Sequence, residues 1–335
     1  MLFESAGPPQ PRFKKRNDYS TLLYMTREKA PRNRTITLTP EEQQLYLDRC
    51  LRVNGEAAVE QIIGRTLFGD FCDISGHLPK SFVDLLFIDP PYNLNKQFNS
   101  SRFRQKSAQQ YEELLEGWIE RLVPLLKPTS SIYVCTDWRS TAEVKTVLER
   151  RFIIRNRIVW EREKGRGAKN NWKNSTEDIW FATVSDDYYF NVEAVKLKRR
   201  VLAPYRDPAG RPKDWDRTGL GDFRLTHPSN IWTDITVPYW SMPENTDHPT
   251  QKPEKLLAKI ILASSREGDI VFDPFAGAGT ASVTAKKLGR RYCGIERDPL
   301  YAALAEKRLA LAGEDASIQG FREGVFWERN SSRGK

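Results

Sequence analysis

Short apolar runs alternate with segments of helical periodicity in two parts of the chain, which predicts parallel strands joined by helices. The run V-D-L-L-F-I at residues 83–88 is nearly unbroken, as expected for a strand buried on both faces of a parallel sheet. Around it, the pattern predicts strands at 65–70, 131–135 and 153–160 and helices at 108–126 and 141–150.

The alternation returns near the C-terminus. It predicts helices at 253–263, 281–288 and 300–311 and strands at 270–272 and 292–295. Between the two parts, at 161–247, prolines, glycines, charges and aromatic residues break every period, apart from a strand pair at 179–183 and 188–190. This break predicts a region inserted into the sheet-forming core.

The N-terminal segment has a different character. Five prolines and little apolar periodicity in the first 40 residues predict an extended or partly disordered arm. A helix is predicted to start at Thr39, because a threonine followed by a proline and two glutamates suits a helix N-terminus.

The composition excludes several classes of protein. The chain has 335 residues, 39% of them apolar, a mean hydropathy of -0.61, and no apolar stretch near the roughly 18 residues of a membrane span. The four cysteines lie far apart and the three histidines do not group with them, so we expect neither disulfides nor a metal site. Without a secretion signal at the N-terminus, the expected location is the cytoplasm.

The charge distribution points to a polyanionic partner. There are 53 Lys+Arg residues against 44 Asp+Glu, a net charge of +9, and the excess is clustered. Residues 12–34 and 151–173 hold eight basic side chains each, and Trp160 and Trp172 lie within the second group. Basic patches that include aromatic residues suit nucleic-acid phosphates.

A glycine-rich turn is predicted between the strand at 270–272 and the following helix. Its sequence is D-P-F-A-G-A-G-T, residues 273–280, and Glu296 follows the next strand. Glycines let the backbone approach a ligand, and an acidic residue at the next strand end can hold ribose hydroxyls. A turn that serves only close packing is the alternative. Since the third glycine of a dinucleotide fingerprint and the G-K-[ST] of a triphosphate site are absent, a single-nucleoside ligand such as S-adenosylmethionine fits better.

The second candidate site is the tetrapeptide Asp89-Pro90-Pro91-Tyr92, which directly follows the buried strand. Two prolines stiffen the loop and remove backbone donors, which leaves carbonyl acceptors beside a carboxylate and an aromatic ring. This array suits a planar ring with an exocyclic amine, whose hydrogens Asp89 and the Pro90 carbonyl would accept. An ordinary proline-rich turn is the alternative.

These two motifs, with the intervening H-P-T-Q-K-P at 248–253, resemble the β-class of S-adenosylmethionine-dependent DNA amino-methyltransferases, the RsrI-like bacterial modification enzymes. The resemblance covers about residues 62–312. It implies an α/β fold, a Rossmann-like, seven-stranded mixed sheet of the class I methyltransferase type with permuted motif order and an inserted target-recognition region. The implied regions are a basic arm and helix (1–60), a catalytic half (61–160), a recognition insert (161–247), a cofactor half (248–312) and a C-terminal tail (313–335).

The resemblance also implies roles for single residues. The catalytic residues would be Asp89, Pro90, Pro91 and Tyr92. S-adenosylmethionine would be bound by Asp70, Asp89, Thr250, Lys252, Asp273, Phe275, Ala276, Gly277, Gly279 and Glu296, with Glu296 on the ribose and Lys252 and Thr250 near the methionine carboxylate. His248 is expected to be structural or to support a neighbouring residue of the site, and not to act as an acid or base. Asp70 has the alternative of capping a turn, and Arg297 departs from the apolar residue expected beside an adenine ring.

Duplex DNA is the expected partner, and the target base would be flipped out and stacked on Tyr92. The predicted DNA-binding residues are Arg162, Lys164, Arg166, Lys169, Arg199, Arg200, Arg206, Arg211 and Arg217. Any of these arginines could read guanine edges or hold phosphates. A cognate restriction endonuclease and a homodimer are further expectations from the resemblance.

Adenine N6 is the favoured target, because aspartate at the first catalytic position is typical of adenine modifiers in this class, whereas cytosine N4 modifiers more often carry serine. Cytosine N4 is the main competing target. A catalytically silent DNA-binding protein and a methyltransferase that acts on RNA or protein are less favoured.

Overall fold

The computed structural model describes residues 30–97, 99, 102–162, 169–201, 205–219 and 221–329. The chain divides into two units, residues 1–33 and 34–335. Of the first unit, residues 30–33 form a turn in which Asn33 N donates to Ala30 O at 2.7 Å. The helices and strands of the described residues belong to the second unit.

Eight helices and fifteen strands follow each other along the described residues. The helices are α1 (Pro40–Leu47), α2 (Val59–Ile62), α3 (Phe71–Ile74), α4 (Ala108–Leu122), α5 (Thr141–Glu149), α6 (Glu254–Ser264), α7 (Thr280–Lys287) and α8 (Pro299–Glu314). The strands are β1 (Arg65–Phe68), β2 (Val83–Ile88), β3 (Lys96–Gln97), β4 (Arg102–Phe103), β5 (Leu126–Thr136), β6 (Ile153–Glu161), β7 (Thr176–Thr183), β8 (Leu197–Arg200), β9 (Asp216–Thr218), β10 (Gly221–Thr226), β11 (Ile231–Trp232), β12 (Ile270–Asp273), β13 (Arg291–Glu296), β14 (Phe321–Arg322) and β15 (Val325–Trp327).

The predicted α/β fold is confirmed, and its large sheet is mixed. The strand order is β1-β13-β12-β2-β5-β7-β6-β11, and β7 runs antiparallel to both of its neighbours, whereas the other pairs are parallel. The sheet has eight strands and not the expected seven. The additional strand is β11, where Ile231 and Trp232 pair with β6 at the sheet edge. Two residues are too few to produce a periodic sequence signal.

The large sheet also contains a segment that was predicted to lie in the insert at 161–247. β7 is buried along most of its length and lies between β5 and β6, so its apolar side chains cover both faces of the sheet. The predicted partner strand at 188–190 does not form. Its aromatic side chains pack on the sheet instead, with Tyr188 and Phe190 both about 6 Å from Phe181 between ring centroids (6.0 and 5.7 Å).

A second sheet contains strands from the middle of the chain and from its C-terminal segment. Its order is β14-β15-β8-β10-β9, and β15 pairs in parallel with β8 through Phe326 and Leu197. The segment 313–335 was predicted to be a tail, but β14 and β15 within it are strands of this sheet. Burial of the apolar run V-F-W at 325–327 accounts for the pairing, since Phe326 is fully buried.

Helices cover both faces of the large sheet, as the alternation of side chains along β2 requires. Leu86 and Ile88 belong to the apolar cluster that contains α4 and α5, whereas Leu85 and Phe87 belong to the one that contains α6 and α7. This three-layer arrangement leaves the carboxyl ends of the parallel strands as the exposed edge at which α/β proteins bind ligands.

The predicted helix start at Thr39 is confirmed by its hydrogen bonds. Thr39 Oγ1 accepts from Glu42 N at 3.2 Å, and the Glu42 carboxylate accepts from Thr39 N at 2.9 Å, which is a capping box. The Glu42 carboxylate also pairs with Lys307 Nζ at 2.6 Å, so α1 is held against α8.

Candidate functional site

A cavity of about 550 Å³ opens at the carboxyl edge of the large sheet. The ends of β1, β2, β12 and β13 contribute to its wall, together with residues 248–252. It therefore brings together the two motifs that the sequence singled out, although they lie almost 200 residues apart along the chain. The volume is in the range of small-molecule and cofactor sites.

The tetrapeptide 89–92 leaves β2 and forms one side of this cavity. Tyr111 Oη donates to the Pro91 carbonyl at 3.0 Å, which fixes the loop from α4. Tyr92 Oη lies 3.1 Å from Asp89 Oδ1, and the aromatic ring is partly buried. Burial, with the nearby carboxylates, raises the pKa of Tyr92 well above its ordinary value, so its hydroxyl remains a donor.

Lys252 forms an ion pair with Asp89. Its Nζ lies 2.7 Å from each carboxylate oxygen of Asp89 and 3.2 Å from Tyr92 Oη. Burial by itself lowers the pKa of Lys252, but the carboxylates of Asp89 and Glu177 outweigh this effect and raise it above the ordinary value. The ammonium, predicted from the resemblance to approach a methionine carboxylate, is bound here to Asp89.

Glu177 is a member of the site that the sequence analysis missed. It lies near the start of β7, its side chain is only 5% exposed, and it lines the cavity. Its carboxylate accepts from Tyr92 Oη at 3.2 Å, lies 3.3 Å from Lys252 Nζ, and pairs with Arg162. The sequence signal that could have identified it is the acidic pair E-D at 177–178, which lies near the start of a buried apolar strand.

The glycine turn between β12 and α7 forms the other side of the cavity. Gly277 and Gly279 have φ of 53° and 73°, and a Cβ on Gly279 would lie 2.7 Å from Ala305 Cβ, so both positions require glycine. Glu296 Oε2 accepts from Gly277 N at 2.8 Å, which links the turn to the end of β13. Phe275, Ala276 and Asp273 also line the cavity.

The carboxyl groups of Asp273 and Glu296, on this side of the cavity, have raised pKa values. Burial raises the pKa of Asp273 to about 8, although a hydrogen bond from Phe275 N at 3.0 Å opposes the shift. Burial likewise raises the pKa of Glu296 to about 7, against hydrogen bonds from the backbone N–H groups of Asp298 and Gly277. In the absence of a ligand, Asp273 is thus largely protonated near neutral pH.

His248 supports the glycine turn, in line with the expected structural role. Its Nε2 would lie 2.9 Å from a Cβ on Gly277, and its ring meets that of Tyr301 edge-on with 4.4 Å between centroids. Burial, together with Lys252, lowers the pKa of His248 to about 3, so the imidazole is neutral. Thr250 N points to its Nδ1 at 3.4 Å.

Asp70 and Arg297 lie together at the end of β1. Asp70 caps α3 through Cys72 N at 2.9 Å and pairs with Arg297 at 3.2 Å, and both residues line the cavity. The capping role foreseen as an alternative for Asp70 is therefore present, beside its place in the cavity wall. Arg297 is anchored by that pair to Asp70.

The residues predicted to bind DNA divide into four groups. Lys164 and Arg166 lie outside the described residues, and Arg162 lines the cavity and pairs with Glu177. Lys169 is exposed, in the segment between β6 and β7. The others lie on or near the second sheet. Three have carboxylate partners: Arg199 with Glu328, Arg211 with Asp207 and Arg217 with Asp222. Three lie over aromatic rings: Arg200 over Phe223, and Arg206 and Arg217 over Trp215.

Metal clusters and membrane-spanning helices are both absent from the described residues. Among them, no group of three or more histidine, cysteine, aspartate or glutamate side chains could hold a metal ion. The helices in the same part of the chain include none that is long and apolar enough to span a bilayer.

The chain is similar to DNA methyltransferases in sequence and in structure. A family model described as DNA methylase, for N6 and N4 methyltransferases, matches residues 83–307. DNA adenine methyltransferase YhdJ of Escherichia coli (strain K12) is 34% identical over 70% of this chain and 79% of its own length. Type II methyltransferase M.HpaI of Haemophilus parainfluenzae is 30% identical over 73% and 72%. The crystal structure of the M1.HpyAVI-SAM complex matches with a TM-score of 0.50 and 25% identity, over 72% of this chain and 97% of that one.

Proposed function

We propose that this chain, which belongs to the DNA methylase family of N6 and N4 methyltransferases, is a site-specific DNA methyltransferase that methylates the N6 amine of adenine in duplex DNA. The observation that carries the proposal is the shared cavity, whose wall contains Asp89 and Pro90 together with the glycine turn and Glu296. An amine acceptor and a nucleoside site within one cavity are what this reaction needs.

The cavity suits S-adenosylmethionine, the cofactor for which we propose it. A turn whose glycines leave no room for a Cβ, with Glu296 at the next strand end, matches the geometry expected for a bound nucleoside. Phe275, Ala276 and Asp70 would surround the adenine and ribose, and Thr250 and Lys252 would lie on the methionine side. The cofactor supplies an electrophilic methyl group on its sulfonium.

The tetrapeptide would orient the target amine. The carboxylate of Asp89 and the carbonyl of Pro90 each accept one amine hydrogen, which favours a pyramidal nitrogen and directs its lone pair along the line of displacement. As the nitrogen–carbon bond forms and the carbon–sulfur bond breaks, the nitrogen loses one hydrogen as a proton. Asp89, which already accepts that hydrogen, is positioned to take it.

An adenine within a duplex cannot reach this sheet edge, so the base must be flipped out of the helix. Tyr92 would stack on its ring. The basic residues of the second sheet and Lys169 would hold phosphates or read bases, which supports duplex DNA as substrate.

Cytosine N4 is the second candidate target, because the family contains both kinds of enzyme and the amine chemistry is the same. The relative named as an adenine methyltransferase, at 34% identity, and the aspartate at position 89 favour adenine.

The order of the motifs supports the β-class, RsrI-like subtype as a further proposal, since the tetrapeptide comes first, strands β8 to β10 of the second sheet next and the glycine turn after them. A cognate endonuclease and a homodimer also remain proposals from the family. M.HpaI, a type II methyltransferase, is the relative that suggests the endonuclease. We expect the enzyme in the cytoplasm, where bacterial DNA lies.

The test is to incubate the protein with duplex DNA and isotopically labelled S-adenosylmethionine, digest the DNA to nucleosides and identify the labelled product by mass spectrometry. N6-methyladenine is expected, and Asp89→Ala should abolish it. Asp84→Ala is the matched control on the same strand, outside the cavity wall. Labelled N4-methylcytosine would overturn the base assignment, and unlabelled DNA with a labelled RNA or protein would overturn the substrate.

A further inference from the structure

We propose that Glu177 is a positioning residue that takes over the Lys252 ammonium from Asp89 when the target amine binds, so that Asp89 can accept the amine hydrogen. This inference rests on the proposed amine methylation and assigns a role to a residue outside both sequence motifs. In the structure, the Asp89 carboxylate that must accept the substrate amine is already bound to Lys252.

The Lys252 ammonium uses its three hydrogens within the site. Both oxygens of Asp89 lie at 2.7 Å from Nζ, and Tyr92 Oη lies at 3.2 Å. Because Asp89 Oδ1 also lies 3.1 Å from Tyr92 Oη, its lone pairs are engaged on the side that faces Lys252. A neutral amine is a weaker donor than an ammonium, so it competes poorly for Asp89 while Lys252 stays in place.

Moving Lys252 away requires another carboxylate, since a buried ammonium without a partner costs several kcal/mol. Glu177 supplies it. Its Oε2 lies 3.3 Å from Nζ, only 0.6 Å farther than the oxygens of Asp89, and its side chain is as buried as that of Lys252, at 5% and 6% exposed. A shift of less than about 1 Å at Nζ would exchange the near and far partners, within the freedom of a lysine side chain.

Two features keep Glu177 ready for this exchange. Its other oxygen pairs with Arg162, which fixes the carboxylate, and it lies on β7 between two strands of the large sheet. Tyr92 Oη lies 3.2 Å from Glu177 and 3.1 Å from Asp89, so the hydroxyl can follow the ammonium from one carboxylate to the other. Arg162 and Lys96 are the other cations of this cavity wall, and the exchange of Lys252 between the two carboxylates leaves the net charge unchanged.

The first test is Glu177→Gln, which keeps the shape and an acceptor for Tyr92 Oη but removes the charge. We expect the rate of methyl transfer in a single turnover, with DNA and S-adenosylmethionine both saturating, to fall about tenfold to a hundredfold, or about 1.4 to 2.7 kcal/mol. The dissociation constants for both ligands, measured by fluorescence, should change less than about threefold. Asp178→Asn, the adjacent buried carboxylate near Arg157, is the matched control and should keep the rate.

The second test is a double-mutant comparison, which shows whether Glu177 acts through Lys252. In a Lys252→Met background there is no ammonium to remove from Asp89, so adding Glu177→Gln should cost much less than it does in the wild type. An equal cost in both backgrounds would overturn the proposal.

Other results for the Glu177→Gln variant would also refute the proposal. A wild-type rate for Glu177→Gln would refute the exchange. A large loss of thermal stability or of cofactor affinity in that variant would make Glu177 a structural residue and equally refute it. If the wild type transfers no methyl group to a DNA amine, the proposed function itself fails, and this inference fails with it.

Discussion

The effect of burial on the Asp273 carboxyl group can be tested directly through the pH dependence of the free energy of unfolding. Asp273 is 3% exposed, at the end of strand β12, and burial raises the pKa of its carboxyl group from 3.8 to about 8. Between these two values the folded chain binds a proton that the unfolded chain releases. The free energy of unfolding therefore falls as the pH rises through this window, and the full cost of the buried carboxylate is reached above about pH 8.

Asp273→Asn keeps an acceptor for Phe275 N but removes the titration. One pKa unit corresponds to about 1.4 kcal/mol, so between about pH 5 and pH 8 the variant should gain up to about 4 kcal/mol relative to the wild type. Local relaxation and water entry would reduce this value to about 1–3 kcal/mol. The sign follows from burial alone, and the variant gains stability relative to the wild type with rising pH.

The assay is urea unfolding of both proteins, without cofactor, at about pH 5.5 and pH 8. Asp216→Asn is the control, because it makes the same substitution at a residue that is exposed on β9. A difference between Asp273→Asn and the wild type that is the same at both pH values would refute the reasoning, since Asp273 would then titrate alike in the folded and unfolded chains.

Three further predictions concern the supports of the site. Gly277→Ala should weaken cofactor binding about tenfold in isothermal titration, with the fold retained in circular dichroism, because a Cβ would lie 2.9 Å from His248 Nε2 at a φ of 53°. Arg308→Leu should destabilise the chain by about 3–5 kcal/mol in urea unfolding, since it removes a buried guanidinium from Glu254 and from the glycine turn; a loss below about 1 kcal/mol would contradict this. Thr39→Ala should cost about 1 kcal/mol in the same assay, whereas Thr39→Ser should cost little.

The parts of the site that the sequence predicted are those set by local pattern. Asp89 follows an apolar strand and Gly277 lies in a turn between a strand and a helix, and parallel strands of one sheet end at the same edge. Burial of the strands then brings the two motifs together without further information. The same reasoning predicted the α/β fold and the helix start at Thr39.

The parts that were missed depend on contacts between distant residues. Glu177 enters the site because β7 runs antiparallel between β5 and β6. The acidic pair at 177–178 marks a possible site residue, but it does not specify where β7 lies in the sheet. The Lys252–Asp89 pair joins residues far apart in the chain, so its geometry could not be read from either motif. The short strands β11 and β15 form by pairing at an existing edge, which their length alone does not predict.

The two halves of the cavity hold their charges in different ways. Beside the tetrapeptide, Asp89 and Glu177 face Lys252 and Arg162, and the raised pKa of Lys252 keeps its amine protonated across the neutral range. Beside the glycine turn, Asp273 and Glu296 accept hydrogen bonds from backbone N–H groups, and burial raises the pKa values of these carboxyls to about 8 and 7. A change of pH between about 6 and 8 therefore acts first on the residues that would hold the cofactor. The charges of the groups around Asp89 do not change in this range, so the pH dependence should lie mainly in cofactor affinity and less in the rate of the bound complex.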